Sequence, residues 1–154
     1  MSIIRRERGE GLVEFALILP IFLLVTIGLM DLGQAMFQQN TLAFAAREAT
    51  RYAIVHGSNG SPKAGPGSGD TCTASTTYAS PAQECVTTAI VDLVGKDTIG
   101  VRGVTVTTTW LNGDNNRKSR VTVDVTAQTT ATLWLIKSVM SPTLRASSTL
   151  VIEQ

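Results

Sequence analysis

From Leu12 to Met30 the chain is almost wholly apolar and carries one charge, Glu14. Its length approaches the roughly 20 apolar residues that an α-helix needs to cross a bilayer. Arg5, Arg6 and Arg8 stand just ahead of it. Such a basic head stays on the cytoplasmic side while the apolar run inserts. The pattern therefore predicts a single-pass membrane segment at the start of the chain, with everything after Met30 outside the cytoplasm. A secretory signal would instead have an apolar core of about 7–15 residues closed by a small-residue cleavage site. Here Asp31-Leu32-Gly33-Gln34-Ala35 continues the helical pattern without a break, which leaves an Ala-x-Ala site near Ala35 as the weaker alternative.

Glu14 needs an explanation, because a carboxylate at the centre of a membrane helix costs about 2.5–3.5 kcal/mol, and less near the interface. One reading places it at headgroup depth, solvated and idle. The other starts from Gly9. Cleavage after Gly9 would leave a new α-amino group on Glu10 and make Glu14 the fifth residue of the product. The ammonium of a neighbouring subunit could then neutralise Glu14 within lipid and fix the axial register between subunits, since pairing lowers the cost of burying both charges.

Gly9, four residues and Glu14, followed by Phe15-Ala16-Leu17 and an apolar helix with Pro20, resembles a type IV prepilin cleavage site. Together with Ala45-Ala46-Arg47-Glu48-Ala49-Thr50-Arg51-Tyr52-Ala53, the stretch Val13 to Pro20 is similar to the TadE/TadG-like pseudopilins of tight-adherence (Flp) pilus systems. The specific part of the likeness covers residues 5 to 53. It implies a leader of residues 1–9, removed after Gly9 by a prepilin peptidase, and Glu14 as the assembly carboxylate. Glu10 becomes the first mature residue, where many pilins carry Phe or Met. The partners implied are the peptidase, other pilin subunits in homo- or hetero-assembly, and the bacterial inner membrane before assembly, with a surface pilus as the destination. Major pilins of these systems are usually much shorter, which favours a minor or priming subunit.

The 154 residues suffice for one domain plus an anchor. Formal net charge is +1, of which residues 1–9 contribute +2, so the remainder carries −1. A nucleic-acid partner would want a clustered basic face, and a near-neutral product offers none. Cys72 and Cys85 are the whole thiol inventory. In the oxidising compartment that the charge pattern predicts, they are expected to form a disulfide. A metal site is the poorer reading, with His56 the only histidine and no paired ligand motif.

Along the chain, Pro20 lacks the N–H for the carbonyl of Ala16, which predicts a kink or local loosening. Gly28 and Gly33 add weak points of about 1 kcal/mol each against Ala. From Asp31 to His56 the pattern turns amphipathic, with Leu32, Ala35, Met36, Ala43, Ala46, Ala49 and Ala53 at three- and four-residue steps. A helix from Glu10 to His56 would run roughly 70 Å, stopped by Gly57. Gly57 to Thr71 reads as an exposed, flexible loop, and its Asn59-Gly60-Ser61 is a sequon of the kind common by chance. Ser80-Pro81-Ala82-Gln83 reads as a capping box opening a second helix, which Gly95 ends. Val101–Trp110 and Val121–Ala127 alternate about a turn at Asn112–Asn116, which predicts a hairpin. Leu133–Met140 reads as a short apolar connection, and Leu144–Ile152 as a third strand.

The fold expected is α+β: a long N-terminal hydrophobic helix, transmembrane or filament-forming, packed on a small head with a second helix and a three-stranded antiparallel sheet. The expected divisions are a leader at 1–9, an assembly helix at 10–30, its amphipathic continuation at 31–56 and the head at 57–154. No nucleophile, base and orienting group stand together in the sequence, and no Gly-rich phosphate loop follows a strand, so neither enzymatic activity nor a cofactor is expected. Two function classes remain. One is a cleaved pilin-like subunit. The other is an uncleaved, membrane-anchored domain that presents its loops to a partner.

Overall fold

A computed structural model describes residues 7–74, 82–128 and 143–153. Helix α1 runs from Glu7 to Val55 as one 49-residue element that passes through Pro20, about 73 Å long at 1.5 Å per residue. Its two halves differ in what they touch. Side chains from Gly11 to Met30 are exposed, with only Ile27 partly covered. Beyond them, Leu42, Ala45, Ala46, Ala49 and Ala53 are fully or almost fully buried. These small side chains let the helix lie close on the sheet, against strands β4 and β5 described below. The stripe is shorter than its sequence pattern implied, since Leu32 and Met36 are exposed. They lie ahead of the stretch of helix that the head covers. Thr50 sits inside this contact, its hydroxyl 2.6 Å from the carbonyl oxygen of Ala46.

The sheet among the described residues has five strands rather than three. They are β1 (Thr71–Ala74), β2 (Gln83–Val86), β3 (Thr105–Trp110), β4 (Arg120–Gln128) and β5 (Thr143–Val151). Each pairs antiparallel with the next, in the order β1-β2-β3-β4-β5. The last three are the strands expected from alternation. The added pair, β1 and β2, has four residues each, too short to print a period on the sequence. Their register places Cys72 directly opposite Cys85, and a disulfide joins the two.

This pairing displaces the expected second helix. Gln83 begins a strand, and α2 runs from Thr88 to Asp97; Ser80 and Pro81 of the expected capping box lie outside the described residues. Thr87, the residue before α2, is extended and makes no side-chain cap. Its hydroxyl donates to Asp70 instead, at 2.9 Å. Gly95 lies inside α2 rather than at its end. The helix closes at Thr98, whose N–H and hydroxyl both reach the carbonyl oxygen of Val94. Ile90 and Val94, one turn apart, are its buried face, and α2 packs on α1.

Trp110, Val121, Val123, Val125 and Ile152 complete the core, each contributing about 1.5–3 kcal/mol by leaving water. The segment expected to be an exposed, flexible loop is packed against this core at its centre. Ala64 and Gly65 are buried, and Gly65, with φ near +85°, lies against the Trp110 indole. Asn115, from the β3–β4 turn, donates its side-chain N–H to the carbonyl of Ala64. Its own carbonyl accepts the N–H of Ser58. A polar turn and a Gly-Pro-rich loop thus close over one end of the sheet. The expected connection at Leu133–Met140 lies outside the described residues.

Candidate functional site

The sequence points to the N-terminal part of α1, and the fold leaves that part uncovered. Phe15, Leu17, Ile18, Ile21, Phe22 and Leu24 are each more than half exposed. In water so continuous an apolar surface is a liability, and it marks a membrane or a protein partner. Among the described residues this is the one helix long and apolar enough to cross a membrane, with a mean hydropathy of 2.5 over its best window. Pro20 sits in the middle of this surface. Its missing N–H leaves a carbonyl of the preceding turn to be satisfied by local adjustment or a neighbouring helix.

Glu14 is exposed on this surface, between Val13 and Phe15. It forms no ion pair among the described residues. Gly9 and Glu10 lie in the first turns of α1, roughly 6–8 Å along the axis from Glu14.

Cys72 and Cys85 belong to another part of the molecule. Their strands form the sheet edge opposite β5, whereas α1 rests on β4 and β5. The disulfide therefore braces the head, at the sheet edge away from the strands on which α1 rests. Asp70, just before β1, ties the same region together. Its Oδ2 accepts from the N–H of Gly65 and the hydroxyl of Thr87, and the Ser68 hydroxyl lies 2.7 Å away. Nothing in the sequence marked Asp70, because its three partners come from a loop and from the start of α2.

His56, just past the end of α1, stacks on Tyr52 with ring centroids 3.9 Å apart. Its Nδ1 lies 2.8 Å from the Tyr52 carbonyl oxygen, as suits a polar ring beside unpaired C-terminal carbonyls. No group of three or more His, Cys, Asp or Glu able to hold a metal ion occurs among the described residues.

No curated protein and no solved structure matches the chain. Residues 9–51 match the model of the TadE-like protein family. The match begins at Gly9 and ends within the alanine-rich stripe of α1. Over that stretch, which holds Glu14, Pro20 and the whole apolar run, the chain is TadE-like.

Proposed function

We propose that this chain is a pilin-like structural subunit, a minor or priming pseudopilin, of a tight-adherence type IV pilus. On this reading a prepilin peptidase cuts after Gly9. The new Glu10 amine of one subunit then neutralises Glu14 of its neighbour, and α1 packs among other such helices while the head faces outward. Before assembly the chain sits in the bacterial inner membrane with a cytoplasmic N-terminus and the head outside. The observation that carries this reading is the TadE-like match at residues 9–51, which takes in the whole stretch of α1 that the head leaves bare. The 13 exposed large apolar side chains from Leu12 to Met30, with Glu14 the one carboxylate among them, suit both lipid before assembly and sister helices after it.

Intact mass of the protein from its native membrane tests the proposal. Co-expression with the cognate peptidase is expected to remove residues 1–9, and Gly9→Val to block that loss and to abolish incorporation into filaments. A full-length product in both cases overturns the pilin reading and leaves an anchored extracytoplasmic binding domain.

A further inference from the structure

The head meets α1 again just beyond the apolar run, and the groups gathered there are of an unusual mixture. A cleft of about 470 Å³ opens between Gly33, Phe37 and Gln38 of α1, Gly100 and Arg102 of the loop after α2, and Gln128 at the end of β4. Arg102 is exposed and forms no ion pair among the described residues. Ile99, three residues earlier, is 78% exposed, the most exposed large apolar side chain among the described residues. Phe37 and Met36 on the facing helix are about 60% exposed. The acidic groups near this pole are Asp31, which is half-buried and itself engaged, and Asp97, which turns one carboxylate oxygen inward.

The position of this pole follows from the helix rise. If Leu12–Met30 fills the hydrocarbon core of about 30 Å, then Gly33 to Phe37 lies about 5–10 Å beyond it, at the depth of the headgroups. At that depth an apolar side chain dips into the acyl boundary, an aromatic ring is at home and a guanidinium meets phosphate. Ile99, exposed on the same pole as Met36 and Phe37, adds an apolar side chain to that depth.

We propose that the Thr98–Arg102 loop and the cleft beside it are a phospholipid-docking site. Ile99 enters the leaflet that faces the head, and Arg102, with the amides of Gln34 and Gln128, takes a lipid phosphate in the cleft. The head thus rests on the membrane surface rather than standing clear of it. This rests on the reading of Leu12–Met30 as a membrane span, so the two must be tested apart.

The full chain, labelled with a fluorophore at Ile99→Cys or, as a control at the far end of the sheet, at Arg117→Cys, is reconstituted into vesicles of phosphatidylcholine with or without phosphatidylglycerol. Headgroup-nitroxide lipid is expected to quench the label at position 99 several-fold more than that at 117. Adding phosphatidylglycerol should strengthen the quenching, and Arg102→Glu should remove that gain, worth about fivefold in lipid affinity for one basic side chain. Vesicles that float with the protein while 99 and 117 are quenched equally overturn the docking site and leave the span intact. Protein that fails to float overturns both. A response of the label to inorganic phosphate in detergent, with none to lipid, makes the cleft a free-anion site and overturns the proposal.

Discussion

Gly65 lies so close to the indole of Trp110 that a Cβ at position 65 would stand 2.2 Å from Cε2 and 2.3 Å from Cζ2. Trp110 is fully buried at the end of β3, so the ring has nowhere to go. The backbone at Gly65 also has φ near +85°, which costs other L-residues roughly 1–2 kcal/mol. Overpacking of this kind costs about 1–3 kcal/mol more. Gly65→Ala is therefore expected to destabilise the head by about 2–5 kcal/mol, read as a lower denaturant midpoint in detergent. Gly67→Ala shares the positive φ but meets open space, and should cost only the backbone part.

Asp124 is buried on β4, and Arg145 on β5 reaches its Oδ1 with Nη2 at 2.9 Å and Nε at 3.1 Å. The arginine side chain is 61% exposed, so solvent screens part of the attraction. Arg145→Ala removes two charge-assisted bonds from a carboxylate that stays inside. A loss of about 1–2 kcal/mol is expected. Exchanging the pair for neutral residues of similar shape, Asp124→Asn with Arg145→Gln, should recover part of it. Thermal unfolding of the two variants beside the parent checks this order.

The Cys72–Cys85 bridge closes a loop with a sequence separation of 13. Cross-linking a loop of that size contributes about 3 kcal/mol. Cys72→Ser with Cys85→Ser is expected to lower stability by about that amount and to raise amide exchange first in β1 and β2. The Thr108–Val123 pairing of β3 with β4 should exchange as before.

Glu14→Ala removes the one charge from the exposed apolar surface of α1. Because a carboxylate in lipid is costly, the variant should insert into membranes at least as well as the parent and still be cut after Gly9. Its expected defect is confined to assembly, seen as the loss of the chain from sheared filaments. Wild-type incorporation would remove Glu14 from any part in subunit pairing.

Much of this molecule could be read in the sequence where a period is long enough to speak. The apolar run and the Ala46-Ala49-Ala53 steps gave α1, and the alternation through Val121, Val123 and Val125 gave β4 with its neighbours. What escaped was fixed by contacts distant in the chain. Gln83 to Val86 is a strand held between β1 and β3, against a local motif that favoured a helix. The Gly57–Thr71 loop looked mobile by composition, yet Gly65 is held by Trp110, some 45 residues away. Ile99 and Arg102 carried no motif, and only the folding of α2 against α1 brings them to the level of Phe37. The spacing of Gly9 and Glu14 singled them out in the sequence, and the fold puts both on α1 ahead of the stretch that the head covers.

Because α1 passes from its bare end into the core of the head as one helix with no loop between, any tilt or rotation imposed beyond Pro20, Gly28 and Gly33 is delivered to the sheet as to the far arm of a lever. The bearing of the head is set by whatever grips that rod.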